Sequence, residues 1–270
     1  MKKTNFLFLL PMVIFIGLFI IYPYFNIAKN SFTDNWTGKV TFQNYKNIVI
    51  NPQYFRAWKN SVLFVGGSTL IATLFGSIIG WVSIRFSERV RNMVSSLFAL
   101  PMTLSGLVVA FAFIVLLGRA GIVNILIKTV FKSEGFGLYT WSGLLIVYTF
   151  FNIPLFSIIM MGAFEHLDIS LVDAARNLGA NILQVWIHVI IPALAPAFLS
   201  AISLVFASMM GAFGTVLALT GMSRPLLSLL IYSNTSESTF NIPQADVLAI
   251  LLGITTIIGL LLLNWLGKRN

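Results

Sequence analysis

Long stretches of this chain carry no charge at all, and that feature restricts what it can fold into more than any other. No Asp, Glu, Lys or Arg falls between Lys3 and Lys29, Lys59 and Arg85, Arg91 and Arg119, Glu134 and Glu165, or Asp246 and Lys268. Each gap holds a helix of about 20 residues, the length that crosses a hydrocarbon core. The run from Asn177 to Ser223 is longer than one crossing needs and must contain a span plus something else. The pattern predicts helices near 6–28, 60–84, 93–117, 141–163, 193–217 and 245–266. The expected fold is therefore an all-α membrane protein, one domain over 1–270 with about six transmembrane helices.

Composition supports a lipid environment. Of 270 residues, 58% are hydrophobic and 9% charged, whereas soluble domains have about one-quarter charged residues. The net charge of +9 could suggest nucleic acid, but the cations are scattered through the loops without a basic stripe. Anionic headgroups at the helix ends account for them better, so the expected partner is the bilayer and not nucleic acid. With no cysteine, disulfides and thiolate metal sites are excluded.

Lys2 and Lys3 followed by an apolar run imitate a signal peptide, but the run continues to Ala28 with no small-x-small cleavage site, and is expected to be a retained span. Six crossings put both termini on one side. Lys2, Lys3, Lys268, Arg269 and the arginines of the 85–91 connection then make that side cytoplasmic. Small residues recur four apart (Gly76 and Gly80; Ala193, Ala197 and Ala201; Ala207 and Gly211), a pattern that lets helices pack closely in lipid, within a subunit or between subunits. Pro101, Pro154 and Pro196 lie at or near helix ends or kinks.

Catalytic signatures are missing. There is no His-Glu-x-x-His, Gly-x-Ser-x-Gly or phosphate-binding Gly-x-x-x-x-Gly-Lys-Ser/Thr. His166 and His188 have no carboxylate or histidine at helical spacing, so they are read as surface residues; no metal, cofactor or enzymatic activity is expected. The cores of the expected spans contain no Asp, Glu, Lys or Arg, which argues against pumps and proton-coupled carriers. A solute would meet hydroxyls, amides and aromatics, with Thr103, Ser105, Asn152, Ser157, Ser208 and Thr215 as candidate lining.

The polar interruption from Glu165 to Pro192 stands apart. Ser170 reads as an N-cap with Asp173 in the first turn, Ala174 and Ala175 favour helix, and Gly179 suits a C-terminus needing positive φ. A second helix follows with Ile182, Val185, Trp186 and Val189 on one face, and Pro192 is expected to open the next span. The expected structure is a helix-turn-helix over 164–192 at the cytoplasmic surface.

The pattern Asp173-Ala174-Ala175, three residues, Gly179, nine residues, Val189-x-Ile191-Pro192 resembles the EAA loop of permease subunits of binding-protein-dependent ABC importers. That family favours Glu-Ala-Ala, three residues, Gly, nine residues, Ile-x-Leu-Pro, so Asp, Val and Ile are conservative departures at kept spacing. Tyr22-Pro23, Phe42-Gln43-Asn44-Tyr45, Lys59-Asn60-Ser61, Leu100-Pro101 and Gly118-Arg119-Ala120-Gly121 extend the similarity over nearly the whole chain. Leu229-Leu230-Ile231-Tyr232 is similar to the subgroup handling polyamines, ferric iron, thiamine, sulfate, molybdate and phosphonates. The resemblance implies a type I importer permease in a bacterial inner membrane. It would work with a cytoplasmic ATP-binding subunit dimer that receives the Asp173–Gly179 helix. Its other partners would be a second permease subunit, in a heterodimer rather than a homodimer, and an extracytoplasmic solute-binding protein. A polyamine such as spermidine or putrescine is the expected cargo, with phosphonate, sulfate, iron or thiamine as alternatives. A self-contained channel or secondary carrier is the competing class, and an intramembrane enzyme a distant third.

Overall fold

The computed structural model describes residues 10–132, 135–236 and 239–267. Among them the chain is helical, with no strand and one isolated bridge between Thr33 and Val40. In chain order the helices are α1 (Leu10–Ser31), α2 (Gln43–Ile50), α3 (Pro52–Ser83), α4 (Glu88–Thr103), α5 (Gly106–Leu117) and α6 (Ile122–Phe131). They continue with α7 (Trp141–Glu165), α8 (Ile169–Asn177), α9 (Ile182–Met210), α10 (Gly214–Thr220), α11 (Leu227–Thr235) and α12 (Ile242–Gly267). Among the described residues, six stretches are long and apolar enough to cross a membrane: α1, α3, α5 with α6, α7, α9 and most of α12. The basic pairs Lys2–Lys3 and Lys268–Arg269, and residues 6–9 of the first expected span, lie outside the described residues.

Two spans differ from the charge-gap expectation. Where one helix over 93–117 was expected, α4 stops at Thr103 and Leu104 is extended. Ser105 then caps α5 by accepting the Val108 N–H at 3.3 Å. Pro101 cannot donate to the carbonyl one turn back, which weakens the end of α4. The apolar stretch long enough to cross is Gly106–Phe131. Where a helix over 193–217 was expected, α9 begins at Ile182 and ends at Met210, and α10 follows separately.

Both α1 and α9 run straight through a proline. A π-helical turn, Gly17–Ile21 or Trp186–Ile190, lies immediately before the residue that precedes Pro23 or Pro192. The residue before each proline donates one position further back than in an α-helix, Tyr22 to the Gly17 carbonyl and Ile191 to the Trp186 carbonyl. Proline has no N–H to give, and the widened turn spares its ring the clash with the carbonyl four residues back. Pro192 therefore lies inside a continuous helix and does not open a new one.

The chain forms two compact units, 1–60 with 225–254 and 61–224 with 255–270. In the first, Ala57, Leu227, Leu230 and Leu248 form the core. A side-chain network fixes the loop beside it: Asn44 donates to the Ser31 and Thr33 carbonyls, and Gln244 bridges Asn47 and the Asn44 carbonyl. The Asp34 carboxylate accepts from the Thr37 and Trp36 backbone and the Thr37 hydroxyl. The Thr37 bonds, above all, hold its pKa below the ordinary carboxylate value.

In the second unit α7 is the most enclosed helix, with Leu144, Val147, Tyr148, Phe156 and Met160 buried along its length. The Gly76–Gly80 pair lets α3 approach it. A Cβ on Gly76 would lie 2.9 Å from Phe156 Cβ, and one on Gly80 only 2.8 Å from Met160 Cβ, with the Met160 and Met161 backbone at 3.3 Å. The stripe thus packs helices within one subunit. Gly80→Val should cost about 1–3 kcal/mol by overpacking and lower the unfolding midpoint in detergent. Gly253→Ala, with open space around the glycine, should leave that midpoint unchanged.

Candidate coupling site

The interruption between α7 and α9 folds as two helices meeting at a tight turn. The Asp168 side chain caps α8 by accepting the Ser170 N–H at 2.9 Å. The Ser170 side chain and backbone hold the Asp168 carboxyl below its ordinary value. Ser170 is therefore inside the helix and not its cap, because the carboxylate two residues earlier already satisfies its N–H. At the other end Gly179 adopts φ +85°, donates to the Arg176 carbonyl at 2.9 Å, and Ala180 donates to Ala175 at 3.1 Å. These two bonds form a Schellman turn, which requires the left-handed conformation glycine adopts without penalty.

Asn181 then starts α9 with a capping box. Its side chain accepts the Gln184 N–H at 2.9 Å, and the Gln184 side chain accepts the Asn181 N–H at 2.8 Å. The chain reverses with its exposed backbone groups satisfied, so α8 is held at a fixed angle to α9. The Asn181-x-x-Gln184 spacing was present in the sequence and would have located this start.

One face of this loop is anchored in the second unit. Val172, Ala175, Ala180, Val185 and Ile190 pack with Phe156, Met160 and Phe164 of α7 and Leu194 of α9. Trp186 meets Trp81 edge-on at 5.2 Å and lies 6.3 Å from Phe164, while the Arg85 guanidinium stacks 3.9 Å over Trp81. Arg91 at the start of α4 pairs with Glu165 at the end of α7. Val185 and Ile190 are buried five residues apart because the π turn adds a residue to that turn; the buried position is Ile190, with Val189 only half-buried, and Ile182 is 70% exposed.

The opposite face is open. Asp173, Ala174, Arg176 and Gly179 are exposed, and so are the apolar side chains of Leu171, Leu178, Ile182 and Leu183, Leu178 by 88%. Large apolar groups thus cluster on the exposed side of a rigid turn, an arrangement that marks an interaction surface. A groove of about 350 Å³ lies at the turn, lined by Ala175, Leu178, Gly179, Ala180, Gln184, His188 and Val189. The His166 and His188 rings lie against carbonyls of their own helices, Gly162 at 2.7 Å and Gln184 at 3.1 Å.

The profile of the family described as "binding-protein-dependent transport system inner membrane component" matches residues 72–269. The chain belongs to that family. It is the permease subunit of a binding-protein-dependent ABC importer, a multi-pass protein of the bacterial inner membrane. It is 28% identical to the sulfate transport system permease protein CysT of Salmonella typhimurium, over 86% of this chain and 83% of that protein. It is also 28% identical to the spermidine/putrescine transport system permease protein PotB of Haemophilus influenzae, over 83% of this chain and 77% of that one. Its fold matches a chain in the crystal structure of a bacterial ABC transporter that imports the acidic polysaccharide alginate, with TM-score 0.80, 19% identity and coverage of 98% and 95%.

The hydroxyl and amide residues expected along the permease's pathway lie in different surroundings within this subunit. Asn152 and Ser157 are enclosed by their own subunit, with the Asn152 amide donating to Ser68 at 3.2 Å and the Ser157 hydroxyl to the Ile153 carbonyl at 2.7 Å. Ser208 donates to the Val205 carbonyl. Thr103 and Ser105 are exposed, and Thr215 is buried beside Gly106, where a Cβ would clash with its hydroxyl. Asn181→Ala should weaken the start of α9 by about 1 kcal/mol, read as roughly fivefold faster amide exchange over 181–185 with exchange in α7 unchanged.

Proposed function

We propose that the Asp173–Gly179 segment is the contact through which a cytoplasmic ATP-binding subunit dimer drives this permease, with Val189, Ile191 and Pro192 carrying it along α9 into the membrane. The reading rests on one observation: α8 is capped at both ends and anchored by its inner face, yet leaves an apolar outer face uncovered. Ala174 and Ala175 allow close approach, and Asp173 offers a carboxylate to a basic group on the partner. When the ATPase cleft closes, the rigid loop passes that movement to α7 and α9. ATP hydrolysis belongs to the partner, and this chain is not itself an enzyme. A second permease subunit completes the pathway as a heterodimer, and both termini face the cytoplasm.

For the cargo we take a polyamine of the spermidine or putrescine class, supported by similarity to the polyamine-system permease. Sulfate is the second reading, favoured by an equally similar sulfate-system permease and by outer loops richer in cations than acids. Labelled spermidine and labelled sulfate, offered to cells expressing the complete transporter, separate the two.

Gly179→Asp tests the docking contact. No atom lies within 4 Å of a Cβ built there, so the fold survives at a backbone cost of about 1–2 kcal/mol, while a carboxylate enters the docking face. Uptake should fall more than about tenfold, as for a buried unpaired charge, with unchanged protein in the membrane. Wild-type uptake in that variant overturns the docking assignment.

A further inference from the structure

On the face opposite the coupling loop, three cations from three segments lie around Arg119 and Tyr139. α7 runs from Trp141 to Glu165, so Tyr139 and Thr140 lie at the end away from α8. Arg119 leaves the turn after α5 and places its guanidinium 6.0 Å from the Tyr139 ring centre. Arg224, after α10, donates to the Tyr139 carbonyl at 3.4 Å and stacks 5.2 Å over Trp141. Lys128 of α6 donates to the Arg119 carbonyl at 3.3 Å, leaving further N–H donors free. Together with Gly135–Thr140, Arg119, Asn124 and Lys128 line a pocket of about 380 Å³.

The walls are built to hold their shape. Asn124 is buried, and its amide donates to the carbonyls of Leu117, Gly118 and Phe136 while its oxygen accepts the Phe136 N–H. One side chain thus ties the 117–118 turn to the 135–140 loop. Gly118 and Gly121 keep that turn tight, since a Cβ on Gly121 would lie 2.6 Å from the Leu116 carbonyl oxygen. Among the described residues, no carboxylate pairs with Arg119, Lys128 or Arg224; the one ion pair is Arg91–Glu165. From 118 to 140 the sequence supplies Arg119, Lys128 and Lys132 against Glu134.

We propose that this pocket receives an acidic side chain of the extracytoplasmic binding protein. The assignment rests on the reading above, which puts this face outside the cell. Arg119 lies beside an aromatic ring, so its guanidinium edge is left for a partner, and a planar fork of donors matches a carboxylate in a two-bond pairing. Lys128 adds a point charge beside it. A pocket fixed before docking loses little entropy when filled. Such a contact suits a soluble protein that must find the permease by diffusion and leave again, because exposed opposite charges act mainly on the rate of encounter.

The test uses the assembled transporter in vesicles and its cognate binding protein, reading ATPase activity against binding-protein concentration. Arg119→Glu with Lys128→Glu should raise the half-saturating concentration by about tenfold or more while activity without binding protein stays the same. The same measurement in rising NaCl should weaken the wild type and affect the variant little. A Glu→Lys or Asp→Lys change on the binding-protein lobe should restore the variant's response. Arg119→Gln supplies the same readout if the double reversal assembles poorly. An unchanged half-saturating concentration overturns the proposal. So does a defect present in phosphatidylglycerol vesicles and absent in phosphatidylcholine vesicles, which would assign the pocket to lipid headgroups. A wild-type complex that no binding protein stimulates contradicts the importer reading itself and is thereby told apart from failure of this pocket.

Discussion

The placement of α8 depends on the packing of Phe156, Met160 and Phe164 of α7 against Val185, Ile190 and Leu194 of α9. Without that contact α8 would be a short helix on a hinge. Nine residues are too few for an isolated helix to persist in water. Tertiary contact through Val172 and Ala175, together with caps at both ends, makes it a rigid body. The aromatic set of Trp81, Trp186 and Phe164 widens the contact to α3, and Arg91–Glu165 adds α4. A push on α8 is therefore received by several helices at once.

The same packing encloses two of the polar side chains in the spans. Asn152 and Ser157 lie inside the subunit where α7 is most enclosed, and their hydrogen bonds are to Ser68 and the helix backbone. In lipid, buried amides and hydroxyls serve as ties between helices. Here the Asn152 amide N–H ties α7 to Ser68 of α3, while the Ser157 hydroxyl returns to its own helix.

Much of this was legible beforehand. Charge gaps located the apolar helices because a charge in hydrocarbon is costly, and Gly179 announced a positive φ because few other residues adopt it. The failures have equally local causes. Ser170 and Asp168 are both good caps two residues apart, and sequence alone does not say at which of them the helix begins. The break at Leu104–Ser105 lies in an uncharged run, so a method that measures gaps between charges passes over it. Pro192 reads as a beginning because proline suits the first position of a helix, and the turn that accommodates it inside α9 adds no mark to the composition. The proximity of Arg119, Lys128 and Arg224 involves residues far apart in the chain, which no spacing rule connects.

That accommodating turn has a further consequence. Successive α-helical residues are offset by about 100° around the axis. The extra residue between Trp186 and Ile190 therefore sets the rotational phase between the two halves of α9. The half of α9 that meets α8 and the half beyond Pro192 behave as two cams keyed to one shaft, and the turn before the proline is the key. Removing one residue from the key would rotate one cam against the other by about 100° and carry α8 with it.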